Sequence, residues 1–264
     1  MNRIQNLFDD PDADRELRVA AAVEEELGLR FAESHGLALF CPLHYEPNYA
    51  YPLIVWLHGP ADDERQLNKI MPLVSLRNYA AVAPRGTALA GAIRSKGFAS
   101  GGNGSAGWAW SQAEGHIRAA EERALAAVAA ASERFHISPT RVFLAGFDCG
   151  GTMALRIGLQ HPDRFAGVIS VCGEFPLGNA PLSRLIDARR LPVLLATARD
   201  SKRFPPERAC ENLRLLYAAG MSIHLRQYPV GHELNSQMLA DIDRWIMEQI
   251  NSPTIVAGDP ARNV

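Results

Sequence analysis

The residues best equipped for chemistry lie in Gly146-Phe147-Asp148-Cys149-Gly150-Gly151. An apolar run at 142–145 leads into this segment, and a helix-forming stretch at 152–159 follows it. A sharp strand-to-helix turn needs small residues two before and two after its apex, and Gly146 and Gly150 hold those places. The apex side chain, Asp148, is then presented at the C-terminal edge of a sheet beside a helix N-terminus. Alone, the pattern fits an ordinary turn equally well. Two later segments add to it. Leu195-Ala196-Thr197-Ala198-Arg199-Asp200 is a buried strand ending in an acid, and His232 follows the next strand in Tyr228-Pro229-Val230-Gly231-His232-Glu233. Apex, acid and histidine in that order, each just beyond a strand, form a nucleophile triad: Asp148, Asp200 and His232. His58-Gly59-Pro60-Ala61, after the strand at 53–57, stands where a loop with oxyanion-binding N–H groups belongs, and the Cys149 N–H is the second such donor.

Other residues have plainer explanations. Cys149 as nucleophile would put Phe147 where the turn needs a small residue, so a packed thiol at a helix start fits better. Trp108 and Trp110 are core anchors or, with His58, the wall of a pocket for an apolar or aromatic group. Arg85-Gly86 is open between an anion contact and turn chemistry. The acids and imidazole fall in triad positions, and there is no His-x-His or His-x-x-x-His spacing, so a metal site is not expected.

The elements that must position these residues are legible as alternating patterns. Continuous apolar runs at 53–57, 79–84, 142–145, 167–172, 193–198 and 223–229 read as buried strands. Helical composition or period near 62–77, 113–134, 149–160, 205–219 and 234–249 separates them. Strands buried on both faces and alternating with helices imply an α/β fold with a mainly parallel sheet. Two short apolar runs, 29–33 and 37–43, split by Ser34-His35-Gly36, predict an antiparallel hairpin before it. The organisation expected is a helical extension at 1–28, a catalytic-type domain at 29–250 and a mobile tail at 251–264, with a long Gly/Ala/Ser-rich loop at 87–107.

Composition narrows the function. The chain has 264 residues, 47% hydrophobic and 21% charged, which excludes wholesale disorder and fibrous repeats. Its net charge of −2 gives no electrostatic footprint for nucleic acid. No apolar run approaches the ~20 residues of a membrane span, and the N-terminus lacks the apolar core of a signal peptide. Four scattered cysteines predict reduced thiols and a cytoplasmic setting.

The chain resembles the phospholipase/carboxylesterase group of α/β-hydrolases, which includes acyl-protein thioesterase-like enzymes. The resemblance is carried by Tyr51-Pro52-Leu53-Ile54-Val55-Trp56-Leu57-His58-Gly59, Ala83-Pro84-Arg85-Gly86, Gly107-Trp108-Ala109-Trp110, the turn around Asp148, Asp200 and Gly231-His232, and it covers roughly residues 29–249. It implies the α/β-hydrolase fold without a large cap, action on carboxylic esters or thioesters, no cofactor, and a small ester-like or apolar ligand. Two residues depart from it. Asp148 stands where serine attacks the acyl carbon, and a carboxylate is a poor nucleophile there because attack would give an anhydride. Pro60 stands where the resemblance implies a donated N–H, and proline has none; losing one such donor costs roughly 3–4 kcal/mol of transition-state stabilisation. Three readings follow: an esterase scaffold with impaired or redirected acyl transfer, an Asp-nucleophile hydrolase of alkyl carbon like haloalkane dehalogenases and epoxide hydrolases, or a non-catalytic pseudo-hydrolase. Only residues 174–191 are free for the cap on which the second reading depends.

Overall fold

The apolar runs become the strands of one sheet in a computed structural model that describes residues 31–34, 36–88 and 107–251. The helical extension expected at 1–28, the tail beyond 251 and most of the loop at 87–107 lie outside the described residues. In chain order the strands are β1 (Phe31–Ser34), β2 (Leu37–Phe40), β3 (Tyr51–Leu57), β4 (Ala80–Pro84), β5 (Thr87–Ala88), β6 (Trp108–Ala109), β7 (Ile137–Phe147), β8 (Gly167–Val171), β9 (Val193–Ala198) and β10 (Ile223–Tyr228). The helices are α1 (Gln66–Val74), α2 (Glu114–Arg134), α3 (Cys149–Gln160), α4 (Leu185–Ala188), α5 (Pro206–Ala218) and α6 (Ser236–Asn251).

Eight strands pair in the order β1-β2-β4-β3-β7-β8-β9-β10. The β1–β2 hairpin and the β2–β4 pair are antiparallel, and every other pair in the sheet is parallel. This is the α/β-hydrolase fold, with helices on both faces. A separate antiparallel pair, β5–β6, holds Trp108 against the start of the long loop.

Burial explains the continuous apolar runs. Every residue of β3, β4, β8 and β9 is buried, and alternate side chains enter opposite layers. Leu53, Val55 and Leu57 face a layer containing Ile117, Ala120 and Ala124 of α2 and Met153 and Leu155 of α3. Ile54 and Trp56 face the other, with Leu67, Ile70 and Met71 of α1 and Leu239, Ile242, Trp245 and Ile246 of α6. The buried stripe of α2, Ile117, Ala120, Ala124, Ala127 and Ala131, follows the three-to-four spacing of one helical face. Among the described residues no helix is long and apolar enough to cross a membrane.

Parallel strands deliver their C-terminal ends to one edge of the sheet, where ligands bind in open α/β folds. Asp148 follows β7, residues 199–204 follow β9, and His232 follows β10. The fold therefore brings these three segments together.

Candidate active site

Asp148 sits at the junction of β7 and α3 with φ 53° and ψ −118°, a left-handed conformation that costs a non-glycine residue on the order of 1–3 kcal/mol. Its N–H bonds to Val171 O at 2.9 Å, and its carbonyl accepts from Thr152 N–H at 3.0 Å, fixing the turn to β8 and to the first helical turn. A Cβ at Gly146 would lie 2.5 Å from the Gly150 carbonyl oxygen, and one at Gly150 would lie 2.5 Å from that of His58. Both glycines are required by backbone approach, as the spacing predicts.

The Asp148 carboxylate is buried and meets His232 and Arg203 through one oxygen. His232 Nε2 lies 2.5 Å from Oδ2, and Arg203 Nε reaches the same oxygen at 3.1 Å. On the far side of the ring, His232 Nδ1 bonds to Ser201 Oγ at 2.9 Å, and that oxygen also accepts the Phe204 N–H at 3.0 Å. The row is therefore Asp148–His232–Ser201. An ionised carboxylate only accepts, so the imidazole proton toward Asp148 resides on Nε2. In the neutral ring Nδ1 then accepts from the Ser201 hydroxyl.

The expectation that Asp200 completes the triad is corrected here. Asp200 N–H bonds to Val230 O at 3.0 Å, and its exposed carboxylate accepts from Arg199 Nε at 3.1 Å. The chain turns after β9, with Ser201 N–H returning to Ala198 O at 3.3 Å. That turn sends Asp200 outward and Ser201 inward, to 5% exposure. Sequence reasoning missed Ser201 because an adjacent acid is the default partner of a histidine. It missed Arg203, whose only signal is a basic pair, Lys202-Arg203, beyond a strand.

The loop after β3 is also clear. Gly59 N–H bonds to Gln66 Oε1 at 3.2 Å, Pro60 has no N–H, and Ala61 N–H bonds to Trp108 O at 2.9 Å, with Ala61 at φ 59°. Ala61 therefore does not replace the donor lost at Pro60, and Gly59 does not either. Cys149 N–H, in the first turn of α3, has no partner within the helix and remains the donor beside Asp148.

A pocket of about 280 Å³ opens in front of Asp148, lined by Trp110, Gln112, Cys149, Phe175, Arg203 and His232 among others. Trp110 belongs to its wall and is also packed in the core. His58 and Trp108 do not line the pocket. His58 is fully buried, accepts Gly86 N–H on Nε2 at 3.0 Å, and its Nδ1 lies 2.7 Å from Gly59 O. Burial pushes its pKa below the ordinary histidine value of 6.5, against the backbone bond to Gly59 and nearby acids. Trp108 lies beneath the Arg85 guanidinium at 4.9 Å, and Arg85 pairs with buried Glu64. Arg85-Gly86 is thus structural. The Cys149 thiol is pushed up to about 11, chiefly by burial, which keeps it protonated and non-nucleophilic at neutral pH. Among the described residues no three His, Cys, Asp or Glu side chains converge as a metal site.

Behind the wall, Arg156 of α3 is 1% exposed. It donates to Gln112 Oε1 at 2.6 Å, Leu177 O at 2.7 Å and Gly178 O at 3.1 Å. An arginine inside the apolar run Met153-Ala154-Leu155-Arg156-Ile157 was a readable signal of a buried role.

The profile of one family, phospholipase/carboxylesterase, matches residues 46–250, a span that includes β3, the Asp148 turn and His232. The chain belongs to this family. Among curated relatives, a probable carboxylesterase SOBER1-like of Arabidopsis thaliana is 26% identical over 118 residues, 44% of this chain and 45% of the relative. Acyl-protein thioesterase 1 of Gibberella zeae is 27% identical over 118 residues, 43% of this chain and 50% of that protein. The chain thus spans about half the length of these curated relatives. The crystal structure of Arabidopsis thaliana SOBER1 superposes with a TM-score of 0.62 at 21% identity, covering 76% of this chain and 100% of that one. The Zea mays acyl-protein thioesterase 2 structure gives 0.60 at 16%, covering 81% and 98%. Both show the shared fold. Carboxylesterase-like hydrolase is the family's scaffold, and the residues at its centre decide what this chain does with it.

Proposed function

We propose that this chain is a member of the carboxylesterase family that holds a small ester-like ligand in the pocket before Asp148 without forming an acyl-enzyme. The observation that carries this is the 2.5 Å contact between His232 Nε2 and Asp148 Oδ2. Acyl transfer by a triad needs the pocket-facing imidazole nitrogen as a lone pair that takes a proton from the nucleophile. Here that nitrogen is a donor tied to a carboxylate. The committed N–H groups of Gly59 and Ala61 and the absent one of Pro60 support the same reading, because an oxyanion would find one backbone donor in place of two.

A second reading draws on Oδ1 of Asp148, since the hydrogen bond to His232 and the 3.1 Å contact to Arg203 both go to Oδ2. A carboxylate beside a pocket is suited to attack a saturated carbon, displacing a halide or opening an epoxide C–O bond to give an alkyl ester, which water then cleaves to the alcohol and the carboxylate. One experiment separates the two. Wild type and Asp148→Ala are incubated with p-nitrophenyl acetate and butyrate, and separately with short haloalkanes and epoxides. The proposal expects equal, background ester hydrolysis and no mass increase on the protein. Ester turnover by wild type well above that of Asp148→Ala refutes it, and an alkyl adduct mapped to Asp148 establishes the second reading in its place.

A further inference from the structure

Leu177 is an exposed apolar residue on a rigid mount at the pocket of Asp148. It lines that pocket together with Trp110, Phe175 and Phe204, which are buried, whereas Leu177 itself is 73% exposed. Its backbone is fixed by side chains of α3. Arg156 Nη2 donates to Leu177 O at 2.7 Å and Arg156 Nη1 to Gly178 O at 3.1 Å. Gln160 Nε2 donates to Ala180 O at 3.1 Å, and Ser183 Oγ donates to Gln160 Oε1 at 3.1 Å, which orients that carboxamide. Between these anchors Gly178, Asn179 and Ala180 take φ of 69°, 49° and 43° in succession.

This mount is costly in two ways. Arg156 is buried and has no ion pair among the described residues, so only neutral oxygens, those of Gln112, Leu177 and Gly178, replace its water. The left-handed run includes Ala180, whose Cβ makes that conformation unfavourable. A loop that merely crossed the surface would need neither feature. Strain of this kind persists where the surroundings over-determine it, and it clusters at ligand clamps. Here it holds one leucine in solvent at the edge of a pocket.

We infer that Leu177 is the contact for an apolar chain of the ligand where that chain leaves the pocket, and that Arg156 is the residue that positions it. This deepens the proposed function and rests on the pocket holding an ester-like ligand. Trp110, Phe175 and Phe204 surround the chain near Asp148, and Leu177 covers it where it emerges. About 280 Å³ is at the small end of ligand pockets, so a short acyl group ends inside it and a longer one must cross Leu177. Leu177 thus discriminates between chain lengths.

The test titrates wild type, Leu177→Ser and Arg156→Met with methyl butyrate and methyl octanoate, read by calorimetry and by tryptophan fluorescence. Each methylene removed from water is worth about fourfold in affinity, so wild type is expected to bind the octanoate at least about tenfold tighter than the butyrate. In Leu177→Ser that ratio is expected to fall at least about fivefold. Its melting temperature is not expected to fall, because the side chain is exposed. Arg156→Met keeps an unbranched buried side chain but releases both carbonyls. It is expected to lower the ratio in the same way and to speed proteolytic cleavage at 176–180. Leu177→Ser carries the test if Arg156→Met does not fold. A wild-type ratio near one, or an unchanged ratio in Leu177→Ser, overturns the inference and leaves the proposed function standing. An unchanged ratio in folded Arg156→Met overturns the positioning role alone. Failure of wild type to bind either ester overturns both the inference and the proposed function.

Discussion

Exchanging Asp148 and Ser201 tests the row Asp148–His232–Ser201 most directly. In a triad that transfers acyl groups, a hydroxyl faces His Nε2 at the strand-to-helix turn and a carboxylate holds Nδ1–H. Here the carboxylate lies 2.5 Å from Nε2 and the hydroxyl 2.9 Å from Nδ1, so the two groups are in each other's places. Asp148→Ser alone supplies a nucleophile but leaves Nδ1 facing a hydroxyl, which does not hold the ring in the productive tautomer. Loss of the carboxylate at that position slows triad enzymes by about 10⁴-fold, or about 5 kcal/mol. Adding Ser201→Asp returns it, and the Phe204 N–H that now bonds Ser201 Oγ can bond the new carboxylate. The double variant is therefore expected to hydrolyse p-nitrophenyl butyrate about 10³–10⁴ times faster than Asp148→Ser. It stays about 10²–10³ below a complete site, because Pro60 still supplies no N–H. Ser201→Asp alone gains nothing, since it adds no nucleophile. The assay is initial-rate hydrolysis by the four proteins, with Asp148→Ser/Asp200→Asn as a fifth. If Asp148→Ser matches the double variant, or if the Asp200 change abolishes its activity, Ser201 does not occupy the acid's place and the reasoning fails.

Two further outcomes follow from the buried groups. Burial pushes the Cys149 thiol up to about 11 and the Cys172 thiol up to about 12, whereas Cys210 is exposed. Iodoacetamide at pH 8 is expected to label Cys210 well before either of them by peptide mapping, and prompt alkylation of Cys149 would contradict its placement. His58 is held below its ordinary value of 6.5 by burial, so the unfolded chain binds a proton there that the folded chain does not. Stability from this residue is complete above pH 6.5 and is lost as pH falls toward the folded-state value, by no more than about 1.4 kcal/mol per pH unit. Denaturant melts at pH 7.5 and 5.5 are expected to differ less for His58→Gln than for wild type, and an equal difference in both refutes the assignment.

The fold was legible because its signal is local. Runs such as Leu53-Ile54-Val55-Trp56-Leu57 are apolar throughout because both faces of the strand are covered, and that requirement is visible residue by residue. The turn at Asp148 was legible for a similar reason. The glycines at 146 and 150 answer backbone contacts that recur at a fixed spacing around the apex. His232 was legible as the lone histidine just beyond the last strand.

The rest depended on direction, which spacing does not encode. In the turn after β9, a single residue step reverses which side chain faces His232, so Asp200 pairs with Arg199 at the surface and Ser201 enters the site. In the loop after β3, Pro60 could be read as a missing donor, but the destinations of the Gly59 and Ala61 N–H groups depend on Gln66 and Trp108, which the fold carries to them. Gln112 reads as an ordinary polar residue until Arg156, 44 positions away, fixes which end of its carboxamide accepts a hydrogen bond. The sequence by itself determined the scaffold, the apex and the histidine through periodicity and backbone sterics. Only the tertiary structure decided the hydrogen-bond partners, because a hydrogen bond is set by the orientation of two groups brought together from distant parts of the chain.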